Sequence, residues 1–103
     1  MHEALTLALQ MSNARTREDL SNDPMLSMAL IRCLEILGEA ASKISPQIRI
    51  EFPALPFGKM ISMRNRLIHA YFDVDLDIVW ETVSEDLPGL LPHIVQALAQ
   101  IER

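Results

Sequence analysis

The sequence predicts an all-α domain, and three observations carry that reading. Apolar residues recur at spacings of three and four rather than alternating. Glycine is scarce, with only Gly38, Gly58 and Gly89, and the β-branched alternation that strands need is nearly absent. Prolines follow helix-capping residues at Asp23-Pro24 and Ser45-Pro46, where helices should begin.

A first helix is expected over about residues 2–14, with Leu5, Leu7, Ala8 and Met11 toward the core. The stretch from Thr16 to Asp23 is polar. A second helix should run from Pro24 to Lys43. Its polar residues Ser27, Arg32, Glu35, Glu39, Ser42 and Lys43 fall within an arc of roughly 160°, at about 100° per residue. The remaining arc, with Met25, Met28, Leu30, Leu34 and Leu37, is wider than one core-facing stripe needs. Such a helix is either central to a bundle or shared with a second subunit. A short helix should hold Gln47 to Glu51, and the prolines of Phe52-Pro53-Ala54-Leu55-Pro56 stop it. A helix from Phe57 to Phe72 follows. The segment Asp73–Asp77 offers several N-cap residues for a helix carrying Ile78, Val79, Trp80 and Val83. Pro88, Gly89 and Pro92 are expected to break or restart the chain before a last helix ending near Ile101.

At 103 residues the chain is the size of one domain, 1–103, with one hydrophobic core. Hydrophobic residues make up 50% and charged residues 22%, which excludes a disordered or collagen-like chain. Cys33 is the single cysteine, so neither an intrachain disulfide nor a cysteine-built zinc site can form. Its apolar neighbours predict a buried, inert thiol, compatible with a reducing, cytoplasmic setting. No apolar run approaches the 18 or so residues that span a bilayer, so no membrane association is expected. A formal net charge of −5 argues against tight non-specific binding to nucleic acid, which depends on phosphate neutralisation, but leaves room for a local basic site.

The segment from Met60 to Phe72 is unusual for a core helix. Met60, Ile61, Met63, Leu67, Ile68, Tyr71 and Phe72 form its apolar side, and Arg64 projects from the middle of that side. A guanidinium keeps its charge, and burying it unpaired costs several kcal/mol. A carboxylate such as Glu35 or Glu39, a carbonyl, water in a cleft or a substrate phosphate must face it. Asn65 and His69 share another face, with Ser62 and Arg66 beside them. Arg64 and His69 stand roughly 140° apart on an ideal helix. Arginine stabilises charge on a phosphate and histidine moves protons near neutral pH, so the set suits phosphodiester chemistry. No acidic cluster has metal-site spacing with a histidine, so that chemistry would be metal-free and would need no cofactor. The acidic run Asp73, Asp75, Asp77, Glu81, Glu85 and Asp86 lacks the glycine and spacing of a calcium loop and reads as helix caps plus a solvated face. Trp80 reads as a core anchor, and His2 and His93 are isolated.

Arg64-Asn65-Arg66-Leu67-Ile68-His69-Ala70-Tyr71 resembles the R-x4-H-x-Y signature of HepT-like proteins in the HEPN superfamily. The likeness extends to Asp23-Pro24-Met25, to the stretch from Leu34 to Ala41, and to Phe72 through Trp80, covering about residues 17 to 90. Phe57 stands where many members carry tryptophan. The resemblance implies an up-and-down HEPN-type helical bundle that forms a homodimer. It also implies a metal-independent RNA endonuclease, the toxin of a toxin–antitoxin pair. The partner would be a minimal nucleotidyltransferase that neutralises the toxin by transferring AMP to the motif tyrosine. On this reading Arg64, Asn65 and His69 are catalytic, Tyr71 is the modification site, and Arg66 and Lys59 support RNA binding. A competing expectation is a non-catalytic helical module that partners the nucleotidyltransferase, and a third is a purely structural dimer.

Overall fold

The computed structural model describes residues 2–53, 55–69 and 75–101, with the side chains of all of these except 68–69 and 98–101. Its described residues form helices and connecting loops. These are α1 (His2–Ser12), α2 (Arg17–Asn22), α3 (Pro24–Ser42), α4 (Pro46–Glu51), α5 (Phe57–His69), α6 (Leu76–Glu81), a π-helical turn (Thr82–Asp86) and α7 (Leu87–Ile101). No described helix is long and apolar enough to cross a membrane.

Each start has a local cause. The Asp23 carboxylate accepts from the Leu26 N–H at 3.2 Å, with Pro24 as first residue of α3. Ser45 Oγ accepts from the Ile48 N–H at 3.3 Å, again ahead of a proline. Asp75 accepts from the N–H groups of Asp77 and Ile78, so part of the acidic run does cap α6. The polar stretch after Thr16 is itself helical. The Thr16 N–H donates to the Asp19 carboxylate at 2.8 Å, and buried Leu20 anchors α2 to the core. One apolar residue in six was too faint a periodic signal to predict this helix. Arg17 then pairs with Asp77, tying α2 to α6.

Helix α3 is central. It packs on α1 along one side and on α5 along another, and it touches α2 and α6 as well. Leu30, Leu34 and Leu37 on α3 meet Leu5 and Ala8 on α1, Leu20 on α2 and Val79 on α6 in one buried cluster. Each such side chain contributes about 1.5–3 kcal/mol by leaving water. Leu7 is 45% exposed rather than in the core. On α3 the expected arcs are partly exchanged. Ser27 is buried, its hydroxyl donating to the Pro24 carbonyl at 3.1 Å, whereas Met25 and Met28 are 82% and 69% exposed.

The prolines near the C-terminus do not break the chain. Instead the π-helical turn precedes them, and the Leu87 N–H bonds five residues back to the Thr82 carbonyl. In a regular helix the Pro88 ring would clash with the carbonyl four residues earlier, and the widened turn gives it room. The hydroxyls of Thr82 and Ser84 donate to the carbonyls of Ile78 and Trp80, at 2.8 and 2.7 Å, which satisfies acceptors along the widened turn. Pro92 lies inside α7, and both it and Pro88 are exposed, so the carbonyl that Pro92 leaves without an N–H partner is open to water. Trp80 is half-buried against the core, as a core anchor would be.

Candidate functional site

The site is organised by α5. At its start, Phe57 is buried and the Arg49 guanidinium lies 5.9 Å from its ring centroid. Arg49 also donates to the Ala41 and Ser42 carbonyls, at 3.1 and 3.5 Å, so it closes the C-terminal end of α3 and steadies the N-terminal end of α5.

From there, Phe57, Met60, Arg64 and Leu67 fall at helical spacing on the side toward α3. Arg64 is half-buried against Gly38, and its Nε is buried without a hydrogen-bond partner among the described residues. The expected carboxylate partner is not there. Glu35 accepts instead from Arg32 at 3.2 Å, and Arg64 forms no ion pair among the described residues. The close approach depends on Gly38. A Cβ at that position would stand 2.7 Å from the Met60 carbonyl oxygen and 2.9 Å from Arg64 Cγ. A glycine inside a long helix was the sequence signal for this contact, because it weakens the helix unless packing requires it.

The opposite flank of α5 borders a cleft of about 720 Å³. Leu34 and Leu37 of α3 form its floor. Lys59, Ser62, Met63 and Arg66 form the α5 bank. The other bank comes from α6, the π-helical turn and α7, with Ile78, Glu81, Thr82, Asp86, Leu87 and Leu90. Glu81 and Asp86 were read in the sequence only as solvated acids. Five residues apart, they would diverge by about 140° in a regular helix, and only the extra residue of the π-helical turn brings both to one wall.

The six sequence-predicted residues are therefore divided. Lys59 and Arg66 meet on the cleft, and Asn65 is exposed on α5. Arg64 does not line the cleft, and the base of its side chain lies against Gly38 of α3. His69 is the last residue of α5, and its side chain lies outside the described residues, as does the whole of Tyr71. Because α5 is unbroken from Phe57 to His69, positions 64 and 69 keep their separation of about 140° in register. Among the described residues no group of three His, Cys, Asp or Glu side chains could hold a metal. Cys33 is buried, and burial pushes its thiol above the ordinary pKa of 9.0.

The described residues define an all-helical bundle in which one helix, α5, carries both Arg64 and His69. Over residues 1–97 the sequence matches the Ribonuclease HepT-like family, and the chain belongs to that family. It is 39% identical over 85 residues to a candidate RNase of Methanocaldococcus jannaschii, MJ1216, covering 82% of this chain and 70% of that one. It is 41% identical over 88 residues to a protein of Thermococcus cleftensis named Probable ribonuclease HepT, covering 85% and 80% of the two chains. A third relative, from Caldanaerobacter subterraneus and also a candidate RNase, is 37% identical over 81 residues, covering 79% and 72%. No solved structure matches the chain.

Proposed function

We propose that the protein is a metal-independent endoribonuclease and the toxin of a toxin–antitoxin pair. The observation that carries this reading is Arg64, a permanent cation held half-buried on the helix that also bears His69 and forming no ion pair among the described residues. An arginine kept for packing alone would normally be paired or extended into water. An arginine awaiting an anionic phosphate would be left as this one is.

The chemistry is transesterification. The ribose 2′-oxygen attacks the adjacent phosphorus, the bond to the 5′-oxygen breaks, and the products are a 2′,3′-cyclic phosphate and a free 5′-hydroxyl. His69 takes the proton from the 2′-hydroxyl or returns one to the 5′-oxygen. Arg64 stabilises the added negative charge on the phosphorane, and Asn65 orients the substrate or His69. Divergence of positions 64 and 69 on one helix favours a site shared by two chains. In a two-fold homodimer each α5 could place its own residues opposite those of its partner. The cytoplasmic partner is a minimal nucleotidyltransferase. Its ATP α-phosphorus is attacked by the Tyr71 phenolic oxygen, pyrophosphate leaves, and the added AMP blocks the RNA site by bulk and charge.

RNA cleavage in the presence of EDTA tests the reading. Wild-type protein should leave 2′,3′-cyclic phosphate ends, and Arg64→Ala and His69→Ala should each lower the rate by about 10²–10⁴-fold with an unchanged circular dichroism spectrum. Undiminished cleavage by His69→Ala removes that residue from the mechanism. Absence of cleavage by the wild type, together with AMP transfer to Tyr71 on co-expression with a nucleotidyltransferase from a neighbouring gene, favours a non-catalytic partner module instead. Sedimentation at micromolar concentration should show a dimer, and an 11.6 kDa monomer would rule out a shared site.

A further inference from the structure

The cleft beside α5 has a division of charge that the proposed reaction does not use. Lys59 and Arg66 stand on one bank, two helical turns apart with Ser62 between them. Glu81 and Asp86 stand on the other, brought to one wall by the π-helical turn. Among the described residues neither carboxylate forms an ion pair with either cation. Between the banks, Met60, Met63 and Ile78 supply a partly exposed apolar surface over the buried Leu34 and Leu37. The volume of about 720 Å³ lies within the range of ligand pockets, about 300–1,000 Å³.

We propose that this cleft is a nucleobase-recognition pocket that selects guanine in single-stranded RNA through Glu81 and Asp86. The inference rests on the ribonuclease reading for its substrate class, but not on the catalytic roles of Arg64 or His69. A nucleotide has an anionic end, an apolar face and a hydrogen-bonding edge, and the cleft offers a surface for each. Lys59 and Arg66 meet the phosphates. Met60, Met63 and Ile78 cover the face of an unstacked base, the form in which RNA sequence is usually read. Ionised carboxylates only accept hydrogen bonds, so the edge that faces Glu81 and Asp86 must donate. Guanine presents two adjacent donors, N1–H and the N2 amino group. Uracil presents one N–H between two carbonyls, which carboxylates repel. Adenine and cytosine present an amino group beside an acceptor nitrogen and fall between.

The row of Lys59, Ser62 and Arg66 continues in register to position 69, one turn further along α5. A base in the cleft would therefore lie one helical turn from position 69 rather than at a remote surface. An α-helix from a protein partner is the other occupant that such a groove could take. It is the poorer fit, because the charges are segregated by bank in the way a single nucleotide is polarised.

Nuclear magnetic resonance titration of the full chain at low salt, with each of the four ribonucleoside 3′-monophosphates, tests this directly. GMP should shift the methyl signals of Met60, Met63 and Ile78 and bind about tenfold or more tightly than UMP. The double variant Glu81→Gln, Asp86→Asn should lose that preference while retaining the same thermal midpoint. Lys59→Ser with Arg66→Ser should weaken all four nucleotides alike and flatten the salt dependence. Equal binding of the four nucleotides, no shift at the cleft, or a preference that survives in the carboxylate variant overturns the proposal. So do cleft signals that move with protein concentration and not with nucleotide, because a second copy then fills the groove. Cleavage mapping keeps the two readings apart. RNA cut without base preference sinks the pocket and leaves the ribonuclease, whereas selective GMP binding without any cleavage sinks the ribonuclease and leaves the pocket.

Discussion

Gly38 and Arg64 face each other where α5 crosses α3, so closely that a Cβ on the glycine would fall on the first carbon of the arginine side chain. The missing side chain lets the two backbones meet and leaves Arg64 half-buried at the crossing. Gly38→Ala should therefore destabilise the fold. Added helix propensity returns about 1 kcal/mol, but overpacking against a backbone carbonyl costs about 1–3 kcal/mol. Gly58 has no atom within 4 Å of the corresponding position, so Gly58→Ala should be neutral or mildly stabilising. Thermal unfolding followed by circular dichroism compares the pair, and equal midpoints would show that α5 is free to shift away from α3.

Arg64→Met should separate stability from activity. The buried Nε has no partner among the described residues, a state that costs about 1–3 kcal/mol, and methionine fills similar volume without it. The expected outcome is a thermal midpoint equal to or a few degrees above wild type, at about 4–8 °C per kcal/mol. RNA cleavage should be lost in the same variant. A clearly lower midpoint would mean that the guanidinium is structural.

Ala14 takes a positive φ of 60° in the exposed turn after α1. That left-handed conformation costs a non-glycine residue about 1–2 kcal/mol, partly offset by the entropy glycine loses on folding. Ala14→Gly should raise stability by about 0.5–1 kcal/mol, read as an increased urea midpoint with an unchanged slope. No increase would show that the turn relaxes in solution.

Cys33 is buried on α3, and its thiol titrates above the ordinary value of 9.0 because burial disfavours the thiolate. The folded chain holds this proton longer than the unfolded chain. The contribution to stability is full below pH 9.0 and declines as pH rises through it. Cys33→Ala should remove that part of the alkaline decline in urea midpoint. In native protein at pH 8, a thiol reagent should react at least about a hundredfold more slowly than in urea, since attack needs an exposed thiolate.

Most of the helical plan was legible in the residues. Capping side chains ahead of Pro24 and Pro46 act locally, so the starts of α3 and α4 needed no knowledge of the rest of the chain. The anomaly of Arg64 was legible too, because a permanent charge on an apolar face is visible on any helical wheel. Helix α2 was not: Thr16 and Asp19 cap it locally, but one apolar residue in six gives no helical period, and only the fold shows Leu20 reaching the core and Arg17 meeting Asp77.

The sequence by itself determined the all-α class and which helix carries the Arg64–Tyr71 motif through which the chain resembles its family. The class depends on composition and periodicity, and the motif on residues close together in the chain. Tertiary structure decided which neighbours those residues meet. Glu35 was a reasonable partner for Arg64 in the sequence, yet it pairs with Arg32, and Gly38 takes the place opposite the arginine. The continuity of the chain through Pro88 and Pro92 was likewise decided by the π-helical turn, which shifts backbone carbonyls by one residue and moves Asp86 onto the same wall as Glu81. A one-residue change of helical register rotates every later side chain by about 100°, and packing against α1, rather than any local preference, selects the register that seats Val83, Leu87 and Ile94 in the core.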